Sequence, residues 1–180
     1  RLLLTGAAGG LGRQLRPRLK AHCGVLRVSD IAELGSAAPG EELMPAALEQ
    51  ADAVHALLDG VDAVVHLGGV SVEGPFGPIL QANIVGVYNL YEAARKHRVR
   101  RIVFASSVKV CGETTKRRRP FVADQAPAPK DVYARSKAEA ESALRAICER
   151  SAIELVILRL PLTYGPHVRG NFLALLEAVA

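Results

Sequence analysis

The sequence predicts an α/β fold in which helices cover both faces of a doubly wound parallel sheet. Three observations support this fold class. Short apolar segments of strand length alternate along the chain with segments whose apolar residues recur at helical spacing. The apolar segments are nearly continuous, which is typical of strands buried on both faces of a parallel sheet. The first of them, Leu2–Thr5, runs into a glycine-rich turn and a helix, and this order favours right-handed strand–helix–strand units.

The first half of the chain supplies four predicted strands. Leu11, Leu15 and Leu19 recur at helical spacing and mark a helix after the glycine-rich turn. Val25–Ser29 is the second strand, and Ile31–Gly40 is a loop because it is rich in Ala, Gly and Pro. The third strand is the short segment Glu41–Met44, which Pro45 ends. A helix with one apolar face follows at Gln50–Leu58, and the apolar fourth strand is Val61–Leu67.

The second half supplies two further strands and three helices. A Gly- and Pro-rich loop, Gly74–Pro78, precedes the first of these helices, and a second loop with three prolines spans Gly112–Pro129. The last predicted strand is apolar apart from Glu154 and Arg159. In chain order the elements are Ile79–His97, Arg101–Ser106, Asp131–Arg150, Ile153–Leu160 and Asn171–Ala180.

Composition and charge restrict the class of protein. A chain of 180 residues is the size of one domain, so we expect residues 1–180 to form a single unit. It begins with Arg on a strand and stops inside an apolar helical segment, so we expect a piece of a longer protein. The three cysteines are far apart and form no CxxC, which indicates a reducing compartment. The longest apolar runs have strand length, and we therefore expect a cytoplasmic protein without a membrane span.

The net charge of +5 is modest, and its densest part is Lys116–Arg119, just before Pro120. This run has two interpretations, a solvated loop or a phosphate clamp for substrate or cofactor. We expect no nucleic-acid binding, because no aromatic or helical recognition pattern accompanies the run. We also expect no metal, because four of the histidines share no ligand spacing: His22, His55, His97 and His167. His66 ends an apolar strand, and we expect it to be a hydrogen-bonded structural residue.

The glycine-rich turn Gly6–Gly12 is suited to holding a diphosphate. The first glycine permits the tight turn, the second lets backbone N–H groups approach the phosphates, and the third lets helix and strand pack closely. The helix N-terminus adds partial positive charge. Asp30 ends the next strand at the distance expected of a ribose-binding carboxylate. Together these features predict a dinucleotide site.

A second group of residues predicts acid–base chemistry. Tyr133 and Lys137 lie four apart on a predicted helix and emerge on one face. A nearby ammonium stabilises a phenolate, so we expect Lys137 to lower the pKa of Tyr133. Ser107 follows the fifth strand, and ligands of open α/β sheets lie at the carboxyl ends of the strands. A serine hydroxyl there can polarise a substrate carbonyl or carbinol while the tyrosine moves the proton.

These motifs, in order along the whole chain, resemble the extended short-chain dehydrogenase/reductases, also called the NAD-dependent epimerase/dehydratase family. The matching residues are Gly6–Gly12, Asp30, His66–Gly69, Asn83, Ser107, Tyr133 and Lys137. The resemblance implies a Rossmann fold that lacks the family's C-terminal substrate region, and NAD as the cofactor. It implies Ser107, Tyr133 and Lys137 as catalytic residues, with Asn83 supporting a water relay to the lysine. Asp30 would bond the ribose 2′-hydroxyl and repel a phosphate, whereas Arg13 leaves some tolerance for NADP.

The resemblance also implies a set of binding residues. Those expected to bind the cofactor are Gly6, Ala8, Gly9, Gly10, Leu11, Gly12, Asp30, Ile31, Leu67, Gly68, Gly69, Asn83, Tyr133, Lys137 and Leu160. Those expected to bind the substrate are Ser71, Ser107, Val108, Lys109 and Tyr133. The family further implies a homodimer through the helices around Ile79–His97 and Asp131–Arg150.

Within the family the two halves of the chain point to different substrates. His66–Ser107 resembles uronate dehydrogenases, which oxidise the C1 hydroxyl of a free hexuronic acid to a lactone. The Asn-His pair that follows the catalytic serine there is here Val108-Lys109, although Lys109 can still attract a carboxylate. From Val108 onward the chain resembles nucleotide-sugar epimerases and 4-ketoreductases. The acid usually found near the adenine is absent from Pro45–Leu48.

The sequence therefore favours an NAD-dependent oxidoreductase or epimerase acting on a nucleotide-activated sugar, with uronate dehydrogenase as the alternative. A hypothesis from another class is a scaffold or sensor that holds NAD without turnover. Three further residues have structural interpretations. We expect Tyr88 and Tyr91 to pack or to contact a second subunit, and Cys111 to be an unreactive packing residue. Arg159 has two interpretations, a pairing with an acid inside the sheet or a role in binding substrate.

Overall fold

The computed structural model describes residues 1–71, 73–112, 120–165 and 177–178. The strands of the described chain form one parallel sheet in the order β3-β2-β1-β4-β5-β6, which is the doubly wound order of dinucleotide-binding folds. The strands are β1 Leu2–Thr5, β2 Leu26–Ser29, β3 Glu41–Leu43, β4 Ala63–His66, β5 Arg101–Ser107 and β6 Glu154–Leu160. The predicted fold class is confirmed.

Helices connect the strands and cover the sheet. They are α1 Gly10–Lys20, α2 Ala51–Leu57, α3 Phe76–Leu80, a π-helix Gln81–Val85, α4 Gly86–Lys96, a 3₁₀-helix Val108–Cys111 and α5 Val132–Glu149. Leu3, Val64 and Ile102 are fully buried under α2, α4 and α5, and Leu4 and Val28 lie in the core on the opposite face. In the described chain no helix is both long and apolar enough to cross a membrane.

The region before α4 differs from the prediction of a loop followed by one regular helix. Helical structure begins at Phe76, inside the predicted loop Gly74–Pro78. Pro78 fits there because its missing N–H belongs to the first turn, where the N–H groups have no partner within the helix. The following Gln81–Val85 is π-helical. Periodicity over a long window does not reveal a single wider turn, so sequence reasoning missed it.

The last strand, β6, also differs from its prediction as a strand buried on both faces. Alternate residues are exposed: Glu154, Val156 and Leu158. Among the described residues β6 pairs with β5, and helix α5 packs on the face that carries Leu155 and Ile157, which leaves Glu154, Val156 and Leu158 on the opposite face. Three predicted features, the basic run Lys116–Arg119, His167 and most of the helix Asn171–Ala180, lie outside the described residues.

Candidate active site

The carboxyl edge of the sheet gathers the predicted site residues. The glycine-rich turn leaves β1, Asp30 and Ile31 follow β2, and Leu67–Gly69 follow β4. Ser107 ends β5, Val108 and Lys109 begin the 3₁₀-helix beside it, and Leu160 ends β6. Tyr133 and Lys137 lie near the start of α5. Residues far apart in the sequence thus share one edge because all six strands run in parallel.

The glycines of the turn differ in what their positions require. Gly6 has a φ of +70°, and a Cβ there would lie 2.6 Å from the carbonyl carbon of Leu67. A Cβ on Gly12 would lie 2.1 Å from the carbonyl oxygen of Gly6. At Gly9 the nearest atom would be 3.3 Å away, and at Gly10 the space is open. Turn geometry and packing therefore require Gly6 and Gly12, whereas Gly9 and Gly10 leave room at the mouth of the turn.

The mouth of the turn has the features of a diphosphate and ribose site. Helix α1 begins after Gly9 without a side-chain cap, so backbone N–H groups of its first turn are free of that competitor. A groove of about 400 Å³ opens beside it, lined in part by Ala8 and Arg13. The Asp30 carboxylate accepts the Ala8 N–H at 3.0 Å and the Ala32 N–H at 3.0 Å. A carboxylate has about four acceptor positions, so Asp30 can also accept ribose hydroxyls. These residues fit a dinucleotide.

Asn83 lies in the π-helix and is fully buried. Its Oδ1 accepts the Val70 N–H at 2.8 Å, and its Nδ2 donates to the Val70 carbonyl at 2.9 Å and to Ser136 Oγ at 3.0 Å. Gly69 has no Cβ to collide with it, since a Cβ would lie 2.5 Å from Asn83 Oδ1. Asn83 therefore ties the loop after β4 to the turn of α5 that carries Tyr133 and Lys137. The water relay to Lys137 stays a prediction.

Ser107 and Tyr133 are brought together by β5 and α5. Both are largely buried, with exposed fractions of 8% and 9%, and the Ser107 side chain is close enough to act on the pKa of Tyr133. Ser107 Oγ also accepts the Lys109 N–H at 3.2 Å, which starts the 3₁₀-helix. Asp131 caps α5 by accepting the Ala134 N–H at 2.6 Å. The predicted serine–tyrosine pair is thus formed by a strand end and a capped helix start.

Lys137 is buried beneath this pair. Its Nζ donates to the Ala105 carbonyl at 3.1 Å and lies 4.9 Å from the centre of the Phe104 ring. Burial lowers the pKa of Lys137 to about 8, because desolvation disfavours the charged ammonium. The ammonium therefore loses its proton more readily than an exposed lysine does.

The expected lowering of the Tyr133 pKa by Lys137 is wrong in this structure. Burial raises the pKa of Tyr133, opposed by the hydrogen bond with Ser107 and the charge of Lys109. The physical reason is that an apolar surrounding disfavours the phenolate more than these two groups stabilise it. The charge that lowers the pKa of Tyr133 is that of Lys109, whose ammonium pairs with Asp131 at the start of α5.

The residues with structural interpretations behave as follows. His66 is fully buried, and its Nδ1 shares a 2.6 Å hydrogen bond with Thr5 Oγ1, as predicted. Tyr91 is fully buried and packs against Phe104, whereas Tyr88 is about half exposed. Cys111 is 4% exposed.

Arg159 pairs with an acid, although the acid belongs to α5 rather than to the sheet. Its Nη2 lies 2.8 Å from Glu141 Oε2, and Ser106 Oγ donates to the same carboxylate at 2.5 Å.

Sequence reasoning missed two functional candidates, Asp131 as a charged partner and Glu73. Lys109 Nζ forms an ion pair with the Asp131 carboxylate, and Glu73 Oε2 accepts the Tyr133 N–H at 3.0 Å. An Asp directly before a helical segment is a recognisable cap signal. Glu73 had no local signal, because its partner is 60 residues away.

The doubly wound sheet, the glycine turn with Asp30 and the Ser107–Tyr133–Lys137 set define the class of dinucleotide-dependent short-chain dehydrogenases and epimerases. The model of the NAD dependent epimerase/dehydratase family matches residues 2–178, and the chain belongs to that family. The predicted family and its cofactor, NAD, are thereby confirmed. The prediction of an NAD-dependent enzyme of this type is confirmed at the level of the family.

Three relatives illustrate the range of similarity. Uronate dehydrogenase from Pseudomonas syringae pv. tomato is 48% identical over 161 residues, which cover 89% of this chain and 58% of that protein. UDP-glucose 4-epimerase from Vibrio cholerae is 41% identical over 100 residues, which cover 56% of this chain and 30% of that protein. A crystal structure of a uronate dehydrogenase mutant from Agrobacterium tumefaciens, complexed with NAD, has a TM-score of 0.84 and 39% identity, covering 99% of this chain and 71% of that one. The chain spans 58% to 60% of the length of the curated uronate dehydrogenases it matches.

Proposed function

We propose that this chain is the NAD-binding and catalytic part of a dehydrogenase that oxidises a free hexuronic acid at C1 to a lactone. The observation that carries the proposal is that β5 and α5 bring the Ser107 and Tyr133 side chains together at the carboxyl edge of the sheet, which also carries the glycine turn. A proton acceptor and a hydroxyl donor lie together where a sugar carbinol would reach the edge of the sheet.

The residues of this chain would divide the work as follows. Asp30 and the first turn of α1 would hold the ribose and the diphosphate, and NAD when bound supplies the acceptor for the hydride. Ser107 Oγ would donate a hydrogen bond to the C1 oxygen, and Tyr133 would take the C1 hydroxyl proton in its ionised form, which burial makes the less populated form at neutral pH. Lys137 would carry positive charge below the tyrosine. The net change is one C–H and one O–H bond broken and a lactone carbonyl formed.

The sequence analysis favours a nucleotide-activated sugar as the substrate, because of the second half of the chain. We propose a free uronate instead. The similarity to uronate dehydrogenase extends over 161 residues, and the similarity to UDP-glucose 4-epimerase over 100 residues. Nucleotide-sugar epimerisation remains the second candidate because of the 41% identity to an epimerase.

The test is a substrate panel on the complete protein. We expect NAD with galacturonate or glucuronate to give net NADH fluorescence, because the hydride stays on the cofactor after the lactone leaves. UDP-hexoses should give neither NADH nor interconversion. Interconversion of UDP-hexoses without net NADH would overturn the proposal and support the epimerase, since the hydride would then return to the sugar in each turnover.

A further inference from the structure

Three charged residues next to the predicted catalytic residues have no role in the proposed reaction: Lys109, Asp131 and Glu73. Each of them contacts Ser107 or the first turn of α5, the helix that carries Tyr133 and Lys137. We propose that these three residues form a bridge, made of one ion pair and hydrogen bonds to the helix backbone, that joins the end of β5 and the loop after β4 to the first turn of α5, and so positions the Tyr133 hydroxyl against Ser107. The proposal rests on the proposed function in one respect, the role of Tyr133 as the base. The three residues are positioning residues.

The first half of the bridge links β5 to α5. Lys109 belongs to the 3₁₀-helix, and its backbone N–H donates to Ser107 Oγ at 3.2 Å. Its ammonium pairs with Asp131, whose other carboxylate oxygen caps α5 through the Ala134 N–H at 2.6 Å. One residue therefore contacts Ser107 through its backbone and the tyrosine-bearing helix through its side chain. A shift of α5 relative to β5 would break this pair.

The second half of the bridge links the loop after β4 to α5. Glu73 Oε2 accepts the backbone N–H of Tyr133 itself at 3.0 Å, which attaches the loop to the first turn of α5. The same loop is fixed at Val70 by Asn83, which reaches Ser136 on α5. The loop that carries Ser71 is thus attached to α5 at two points, one turn apart on the helix.

The charged members of the bridge act on the pKa of Tyr133, so removal of either charge should change a quantity that can be titrated. The groups that face it are Ser107 from β5, Lys109 from the 3₁₀-helix, Asp131 and Lys137 from α5, and Glu73 from the loop. Lys109 acts to lower the pKa of Tyr133 and Asp131 acts to raise it. Burial acts to raise the pKa of Asp131, but the hydrogen bonds from Lys109 and the Ala134 N–H, with the charge of Lys109, together hold the pKa below the ordinary value. Asp131 therefore stays ionised across the neutral range.

The experiment compares Lys109→Met and Asp131→Asn in the complete protein. Asparagine still caps a helix, so D131N removes the charge and retains the cap. Difference titration of tyrosine absorbance against Tyr133→Phe should show the Tyr133 pKa raised in K109M and lowered in D131N. The plateau of kcat, taken at the best pH of each variant, should fall on the order of tenfold in both because the hydroxyl is misplaced.

Three further variants complete the test. Lys109→Arg should retain most of the wild-type kcat plateau, because arginine keeps the positive charge. Lys130→Met removes an exposed cation beside Asp131 and should change neither the Tyr133 pKa nor the kcat plateau. Glu73→Ala should speed hydrogen exchange at the Tyr133 amide. Opposite shifts of the Tyr133 pKa with unchanged kcat plateaus would overturn the positioning role. If no uronate is oxidised but the pKa and exchange changes appear, the bridge stands and the proposed function fails.

Discussion

At the residue scale, the glycines of the turn are glycine for different reasons. Packing of the fold requires Gly12, whereas we expect Gly9 to be required for ligand binding. Gly12 has no space for a Cβ because the Gly6 carbonyl lies in its place, 2.1 Å away. Gly9 has a nearest neighbour at 3.3 Å and opens toward the mouth of the turn. Two glycines of one motif therefore have different physical requirements, and the difference can be measured.

Gly12→Ala and Gly9→Ala form a matched pair for this prediction. We expect Gly12→Ala to lower the free energy of unfolding by about 3 kcal/mol, because the methyl group meets backbone that cannot rotate away. Gly9→Ala should leave stability within about 1 kcal/mol and weaken NAD binding on the order of tenfold by blocking backbone approach to the phosphates. Urea unfolding and NAD titration measure the two effects. Equal loss of stability in both variants would contradict the account.

At the element scale, helix α5 connects the site to the sheet. Its start carries Tyr133 and Lys137, and one turn further along its buried face Glu141 pairs with Arg159 of β6. The pair is well buried, with side-chain exposures of 3% for Glu141 and 13% for Arg159. Arg159 also donates to the Gln125 carbonyl at 2.9 Å. The ion pair therefore helps to fix α5 against the edge strand.

Arg159→Met tests this attachment. Removal of one partner leaves the Glu141 carboxylate buried without its cation, and we expect a loss of about 3 kcal/mol in the free energy of unfolding. The double variant Arg159→Met with Glu141→Gln should recover more than half of the loss, because glutamine is neutral and still accepts from Ser106. Urea denaturation at pH 7 gives both values. No recovery in the double variant would show that packing rather than charge is responsible.

The elements also show what can be predicted from a sequence. The strand ends carrying Asp30 and Ser107 were predicted because apolar segments and motif spacing are local signals. The π-helix around Asn83 was not, since one wider turn leaves the apolar pattern almost unchanged. The exposed face of β6 was also missed, because the face that a helix covers depends on tertiary packing rather than on the local apolar pattern. Glu73 illustrates the general difficulty, as its partner on α5 is distant in sequence and close only after folding.

At the scale of the whole molecule, a neutral imidazole lies at the centre of the core. His66 is fully buried between β1 and β5, bonded to Thr5 and stacked on Phe104 with ring centres 5.6 Å apart. Burial, with the nearby charge of Lys137, lowers the pKa of His66 to about 3. The cooperative stability of the chain should therefore depend on acid pH through this residue.

The sign of the dependence follows from proton uptake. Between pH 6.5, the ordinary histidine pKa, and about pH 3 the unfolded chain binds a proton that the native state excludes. The contribution of neutral His66 to the free energy of unfolding is therefore fully present above pH 6.5. It is lost as the pH falls from 6.5 to about 3, by about 5 kcal/mol in total. His66→Gln retains a hydrogen-bonding group for Thr5 and should lose this part of the pH dependence. A parallel pH profile in wild type and variant would contradict the assignment.

The proposed function requires two separable parts at one edge of the sheet, a cofactor-binding turn and a proton-transfer site. Tyr133→Phe tests it most directly, with NAD affinity and turnover of uronate measured on the same complete protein. We expect turnover to fall on the order of 10³-fold, because the proton acceptor is gone, and NAD affinity to stay within about twofold, because the glycine turn and Asp30 are untouched. Retained turnover would contradict the assignment of Tyr133 and leave the chain as an NAD-holding scaffold or a site of other chemistry.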